Sequence, residues 1–475
     1  MAVSANTAWE VRPVTGSDIN GGGFVAGATG TDWSQQTNPQ YNVVDGVTAG
    51  TTTITSGTAN FGTDVVGNIM YVTGGTGNVV AAWYQITVRN SATSITVDRS
   101  TGLTTGTGVT LRIGGALRTI TQAATNYVAS NKIFVKAEGA ITTTASFTFA
   151  TSTTPTNAAP AAKVIGYTSA RNDKGIVSIV LSTSSGLTGL NATGTGVWFD
   201  NFNVNCSSLA TSVGITLNAY CRARNCKVSN FINTGINMTS SDASCSDCEV
   251  TGGTSGGGRA ILLGGTANTC MNCYVHDNVC AGIRVASARG RVIGNLVTNN
   301  TGSPTDGIQI ADTDNTLIIG NTVYGSGQDG INYGSTDTGI GTIIKNNILA
   351  NNGRYGLNFS IGAGTSADRG WDGNAYYSNT TANRNNVDDT TTNTINGVSP
   401  YTNTLDIVIT AGTPFTSAST GDFTLNNIVN QGTAIRGHGI PGSMPGLTQT
   451  GFPDMGVFQH SNPSINRGIL TGGNL

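Results

Sequence analysis

Phe202-Asn203-Val204, Cys226-Lys227-Val228, Cys248-Glu249-Val250, Cys273-Tyr274-Val275, Asn295-Leu296-Val297, Asn321-Thr322-Val323 and Asn347-Ile348-Leu349 are similar triplets that start 22–26 residues apart. A second marker, Gly followed by Ile or Leu, keeps pace with them. It falls at Gly214-Ile215, Gly235-Ile236, Gly282-Ile283, Gly307-Ile308, Gly330-Ile331 and Gly356-Leu357, and Ala260-Ile261 replaces it in the coil after Gly235. The repeat is too short for a helix pair and is rich in β-branched residues and turn formers. Such a period, with two or three short strands per turn, predicts a parallel β-helix. One turn cannot bury its apolar face alone, but turns stacked at about 4.8 Å share one continuous core. The valines of the triplets are predicted to form one inward column. Asn is expected at the bends for its tolerance of left-handed backbone, and Gly for its missing Cβ.

Composition agrees. The 475 residues include 66 glycines, about twice ordinary usage, and only 10% are charged, against about 25% in typical domains. Scarce Glu and Lys beside abundant Gly, Thr, Asn and Ser argue against a helical protein. A net charge of −2 excludes disorder by charge repulsion and argues against a basic nucleic-acid binder. The glycines keep no three-residue period, so collagen is excluded. No apolar run is long enough for a membrane-spanning helix. The opening MAVSANTAWEVRP has neither the basic region nor the apolar region of a secretory signal, so no export by that route is expected.

The expected fold is all-β: a right-handed parallel β-helix with a small amino-terminal β domain and a β-rich carboxy-terminal tail. Residues 1–115 lack the coil markers and read as antiparallel strands, for example Ala82-Trp83-Tyr84-Gln85-Ile86-Thr87-Val88. Within 116–131, Thr119 to Val128 has Ile120, Ala124, Tyr127 and Val128 on one face, predicting a helix that covers the open end of the core. The β-helix is placed at 132–375. Residues 376–475 are read as a polar loop, Thr380 to Thr394, followed by a β-rich tail.

All eight Cys lie between Cys206 and Cys280, two pairs spaced C-x-x-C. The repeat explains them as stacked core thiols, with Cys226, Cys248 and Cys273 in one column and Cys221, Cys245 and Cys270 in another. A zinc site and disulfides between coils are the other readings.

Several segments resemble known proteins. The coil pattern and helix cap, over about 117–375, resemble right-handed parallel β-helix proteins of the pectate-lyase-like superfamily. Gly421-Asp422-Phe423-Thr424-Leu425 through Thr433-Ala434-Ile435 to Pro453-Asp454-Met455-Gly456-Val457-Phe458 is similar to a terminal motif of such proteins. Ala8-Trp9-Glu10-Val11-Arg12, Gly21-Gly22-Gly23-Phe24, Thr31-Asp32-Trp33-Ser34-Gln35-Gln36, and Val164-Ile165-Gly166-Tyr167 with Arg171 resemble β-helix proteins encoded by tailed bacteriophages. The resemblance implies a virion surface protein, assembled in the host cytoplasm: a capsid decoration, a spike or a non-enzymatic tail fibre. Residues 1–115 would attach it to other virion proteins, and it would form a homotrimer and contact a host surface glycan. Neither a nucleic acid nor membrane insertion is expected, and no cofactor or metal.

The second reading is a tailspike depolymerase, a polysaccharide hydrolase or lyase. Asp306 and Asp329 precede equivalent Gly-Ile markers one coil apart, close enough for coupled titration if both point outward. Arg354 and Tyr355 precede the next marker and would bind substrate beside that catalytic pair. Asp-Gly is also a good bend, and solvated Asp is common there. The Asp-Asp, Gly-His-Gly and Arg-x-Lys pattern of polygalacturonases is missing from the coils, as is the acidic calcium cluster of pectate lyases. His276, His438 and His460 share no motif spacing. His276-Asp277 reads as a polar corner, and Trp198 with Phe199 as core. Gly21-Gly22-Gly23 lacks the Lys-Ser/Thr of a phosphate loop.

Overall fold

A computed structural model describes residues 4–77, 79–102, 105–150, 153–156, 160–182, 185–302, 305–311, 313–334, 341–359, 370–385, 405–440 and 454–458. The chain is all-β with a parallel β-solenoid, and it divides into two compact units, 1–180 with 190–203, and 181–189 with 204–475.

In the second unit each coil contributes a strand to each of three parallel sheets. The first sheet runs from Arg222–Arg224 to Gly370–Asp372, the second from Lys227–Ser229 to Ile407–Ile409, and the third from Val213–Leu217 to Ala382–Asn385. In the second sheet Val228, Val250, Val275, Val297, Val323 and Leu349 are register partners in succession. These residues and Val204 are fully buried, as the triplets predict.

The Gly of the second marker has a different job from the one expected. Gly214, Gly235, Gly282 and Gly307 are absent from the positive-φ residues. A Cβ on them would stand 2.2, 2.5, 2.8 and 2.3 Å from a Cγ of Val228, Val250, Val297 and Val323. Glycine is needed because the third sheet's backbone presses on the valine column of the second.

Asparagine has two jobs, of which the sequence reading gave one. Left-handed backbone falls at Asn225, Asp247, Asn272, Gly294, Gly320, Asn346 and Gly373, the corners between first and second sheets. The residue after each corner is buried: Cys226, Cys248 and Cys273, then Asn295, Asn321, Asn347 and Asn374. The four asparagines form a ladder. Each Nδ2 donates to the next Oδ1 at 3.0 Å, and each backbone N–H to the same oxygen at 2.9–3.1 Å. Asn278 to Asn300 and Asn352 to Asn379 repeat the device at another corner, with Nδ2 to Oδ1 distances of 2.8 Å. Buried amides are tolerated because nearly every donor and acceptor is used.

The described carboxy-terminal residues pack on the solenoid. Ile407–Ile409 extends the second sheet, and Phe415–Ser417 pairs antiparallel with Asp422–Leu425. Phe415, Phe423, Leu425, Ile435 and Met455 pack with Ile348, Ala350 and Ala375, and Tyr324 meets Phe423 edge-on at 5.1 Å. This cover explains why the outward residues Ile348 and Ala350 are apolar. Part of the expected polar loop is strand, Ala382–Asn385, and 386–394 lies outside the described residues.

In the first unit, Thr7–Val11 pairs parallel with Lys132–Lys136 and antiparallel with Gly23–Val25. Residues 7–11, grouped by sequence with the amino-terminal domain, thus lie in a solenoid sheet. The closed six-strand barrel from Tyr41–Ala49 to Thr105–Ile113 forms a sheet of its own. Tyr41 and Ile113 are register partners, and Gln40 N donates to Ile113 O at 2.8 Å, so the barrel leaves and rejoins at one point. The helix is Ile120–Asn126, capped by Thr119 Oγ1, which accepts from Gln122 N at 3.1 Å. It stops short of the expected Val128. Tyr127 turns extended and packs on Phe149 with ring centroids 5.6 Å apart, while Ala123, not Ala124, takes the buried face.

Candidate functional site

The third sheet brings Asp306, Asp329 and Tyr355 into one column, two residues before the paired Ile308, Ile331 and Leu357. Asp329 is fully buried and saturated. Arg354 grips both its oxygens, Nε at 2.8 Å from Oδ1 and Nη2 on Oδ2. Tyr355 N donates to Oδ1 at 3.2 Å and Asn358 Nδ2 to Oδ2 at 2.7 Å. Asp306 is also buried; its Oδ1 accepts from Asp329 N at 3.3 Å and its Oδ2 from Asn332 Nδ2 at 2.8 Å. Burial, with a smaller push from the Asp329 charge, lifts its pKa to about 6. Tyr355 lies under the Arg354 guanidinium, 5.2 Å from ring centroid to Cζ. All four sequence candidates therefore meet, but the carboxylates are engaged by the protein itself. Asn332 and Asn358 complete the group. Their outward position in the strand was readable, but not their aim across coils.

A second network lies in the first unit. Glu10 is fully buried between Trp9 and Val11. Arg171 Nε donates to Glu10 Oε2 at 2.8 Å, Nη1 reaches Asp32 Oδ2 at 2.9 Å, and Nη2 donates to Ser34 Oγ at 2.8 Å. Tyr167 Oη donates to Glu10 Oε1, and Arg171 stacks over Phe134 at 4.6 Å. Burial raises the Glu10 pKa against the pull of Arg171. Sequence showed these residues as separate motifs; a lone acid flanked by core residues was the signal that they converge.

His276 sits between two carboxylates, Nε2 3.2 Å from Glu249 Oε1 and Nδ1 2.8 Å from Asp277 Oδ2, and its ring stacks on Tyr274 at 3.9 Å. Lys227 Nζ is 2.7 Å from the same Glu249 oxygen. The His276 bond, then Lys227, hold Glu249 down at about 2. Burial works to lower the His276 pKa, but the two carboxylates outweigh it and raise it. The corner is thus a charge cluster, larger than the dyad visible in sequence. His438 bonds the Arg436 carbonyl, and His460 lies outside the described residues. Phe199 is core and meets Phe149 at 5.2 Å, while Lys163 stands over the Trp198 ring at 4.7 Å.

The thiols stack, with one correction. Cys245 and Cys270 are partners, but Ala223, not Cys221, precedes them in that column, because Cys221 stands five residues before Cys226 where Cys245 and Cys270 stand three before Cys248 and Cys273, which leaves Cys221 in the bend ahead of Arg222–Arg224. All eight cysteines are free and buried. Cys245, Cys270 and Cys273 bring their sulfurs within 4.8 Å of one another, a grouping able to hold a soft metal. Burial and neighbouring sulfurs raise the Cys270 thiol well above its ordinary value, which works against ligation. In the native protein Cys226, Cys248 and Cys273 should resist alkylation, and a chelator should leave the melting temperature unchanged. A stoichiometric zinc signal, or unfolding on chelation, would show a metal site instead.

The chain matches no family model and no curated protein. Solved structures similar to it include pectate lyase Pel9A, at 16% identity over 72% of this chain and 91% of that chain, TM-score 0.49. The Dettilon tailspike protein is 16% identical over 54% of this chain and 44% of that one, TM-score 0.34. An alginate lyase from Paenibacillus is 12% identical over 56% and 92%, TM-score 0.33. At these identities the likeness is one of fold.

Proposed function

We propose that this chain is a structural surface protein of a bacteriophage particle whose solenoid contacts a bacterial surface glycan. The carrying observation is the convergence of Glu10, Asp32, Ser34, Tyr167 and Arg171. These residues come from the separate motifs that resemble phage-encoded β-helix proteins, and they form one network around the fully buried Glu10. The saturated state of Asp329 supports a non-enzymatic role, since a carboxylate whose oxygens are all bonded internally has no lone pair directed at substrate.

Asp306 favours the depolymerase as the second reading. A carboxyl pushed up to about 6 by burial, next to a second carboxyl gripped by arginine, is the asymmetry of environment that separate acid and base roles require.

The barrel is proposed as the attachment element. Deleting 1–115 would also remove the Thr7–Val11 strand, so the clean test excises 41–113, joins residues 40 and 114 through Gly-Gly, and adds Trp33→Gln because Trp33 packs in the barrel core. The full chain should co-purify with particles and sediment as a trimer at micromolar concentration. The excised chain should fold and fail to join particles. Absence of the full chain from particles, or incorporation of the excised one, overturns the proposal; release of reducing ends from host glycan favours the depolymerase.

A further inference from the structure

Four side chains stand in one row across the outside of the six-strand barrel. The register pairs Asn42 with Arg112, Arg112 with Tyr71 and Tyr71 with Trp83, so each lies directly beside the next on adjoining strands about 4.8 Å apart. Their strand neighbours Val43, Leu111, Val72 and Tyr84 fill the barrel core, which turns the row outward. Asn42 is exposed, and Arg112, Tyr71 and Trp83 are half-buried. The Tyr71 and Trp83 rings lean together with centroids 4.3 Å apart, and Trp83 Nε1 donates to Asn20 O at 2.9 Å. Val44, two residues from Asn42 on the same strand, is 66% exposed.

The row is ordered, yet its polar groups are unused within the chain. Among the described residues Arg112 makes no ion pair, and neither its guanidinium nor the Tyr71 hydroxyl has a hydrogen-bond partner. Its same-face neighbours Asn42, Tyr71 and Thr110 carry no carboxylate. The barrel's other arginines are engaged: Arg89 Nε donates to Phe61 O at 2.7 Å, and Arg99 bonds Asp98 and Trp83 O. A closed barrel has no free edge to which a partner adds a strand, so side chains must make any contact. Tryptophan, tyrosine and arginine are the residue types in which interface energy concentrates. The two rings are already ordered against each other, so binding freezes little more of their freedom. A guanidinium without a counter-charge calls for a carboxylate from outside.

We propose that Asn42, Arg112, Tyr71 and Trp83 form the docking face of the barrel, and that its partner is a virion protein surface bringing a carboxylate to Arg112 and an apolar recess to the Tyr71–Trp83 pair. The assignment rests on the attachment reading above and adds the face used and the partner's chemistry. An acidic glycan also offers carboxylates, but the two rings face each other at 4.3 Å and so do not lie flat as a platform for a sugar.

The test is co-sedimentation of the full chain, at rising concentration, with purified particles that lack it. Arg112→Glu and Tyr71→Ser/Trp83→Ser should each raise the concentration for half-capture at least about tenfold, and Arg112→Lys by less. The controls, Val88→Ser on the same barrel and Arg118→Glu beyond it, are exposed positions and should be captured as wild type. Arg112→Glu changes a charge on the outer face alone, so it reads the interface even where the aromatic variant melts early. Capture of the wild type should weaken as salt rises, and Arg112→Gln should flatten that dependence. Capture of Arg112→Glu at the wild-type level, or equal loss in the controls, overturns the docking face; if the chain excised of 41–113 is then not captured, the attachment reading still stands. Capture of the excised chain, or of no chain at all, overturns both. Binding of a soluble uronate polymer by the wild type, lost in Arg112→Glu, overturns the protein partner and makes the row a glycan site.

Discussion

Val250→Asp should abolish cooperative folding of the coil stack. Val250 is fully buried between Val228 and Val275 in the second sheet, and its Cγ1 lies 2.5 Å from where a Cβ on Gly235 would stand. An aspartate there has no donor within the valine column, and water cannot reach it. Removing its charge by protonation still leaves a carboxyl in an apolar row. The cost is about 5 kcal/mol, comparable with the whole stability of many domains. Val250→Ala, which only deletes methyl groups, should cost about 2 kcal/mol and leave a cooperative transition. Circular dichroism melting and limited proteolysis separate the two. A Val250→Asp protein that melts with wild-type cooperativity would mean that the column does not face the core.

Asn321→Leu should be the next most damaging change, although it keeps the branching and heavy-atom count and adds hydrophobicity. Asn321 Oδ1 accepts from Asn295 N at 2.9 Å and Asn295 Nδ2 at 3.0 Å. Its Nδ2 donates to Val292 O at 2.9 Å, Ile319 O at 3.2 Å and Asn347 Oδ1 at 3.0 Å. Leucine strands Asn295 N–H and one amide proton, and it weakens three acceptors. At about 1–3 kcal/mol for each unsatisfied buried group, a loss of about 4 kcal/mol follows. Asn299→Gly, at an exposed corner with φ +52°, should change stability by less than about 1 kcal/mol, because glycine adopts that backbone freely. Thermal melts rank the two, and hydrogen exchange at the Asn295 amide should rise only for Asn321→Leu. Equal effects would show that position 321 serves the bend and not the ladder.

These two asparagines show how far sequence carried. Spacing gave the solenoid, because the valine and glycine markers recur once per coil and stacking is the only way to bury them. It did not separate Asn299 from Asn321, since both sit beside corners and differ only by one position in phase. It grouped Cys221 with Cys245 for a related reason: Cys221 lies in the bend, two residues before the strand position that faces Cys245, and register counts from the strand. The apolar outward residues Ile348 and Ala350 concealed the carboxy-terminal cover, which depends on contacts far apart in the chain. For the candidate site, equivalent positions before the markers correctly aligned Asp306 with Asp329. They could not show that Arg354 and Asn358 would consume the second carboxylate, because partners from later coils are fixed by side-chain direction.

The asparagine ladder also has polarity. The amides of Asn295, Asn321 and Asn347 each donate to the Oδ1 of the next asparagine toward the carboxy-terminal coils and return a second bond to a carbonyl of an earlier coil, so the bonds between the asparagines all run one way. The positive end meets a carboxylate: Asp406 Oδ1 accepts from Asn374 N at 2.7 Å. The negative end meets the thiols, where Asn295 Oδ1 accepts from Cys273 N at 2.9 Å and Cys270 Sγ at 3.4 Å. An oxygen-ended dipole column repels a thiolate and rewards a sulfur that keeps its proton. The coils that carry cysteine and those that carry asparagine thus meet at Asn295, whose Oδ1 accepts from the Cys270 sulfur in its protonated form.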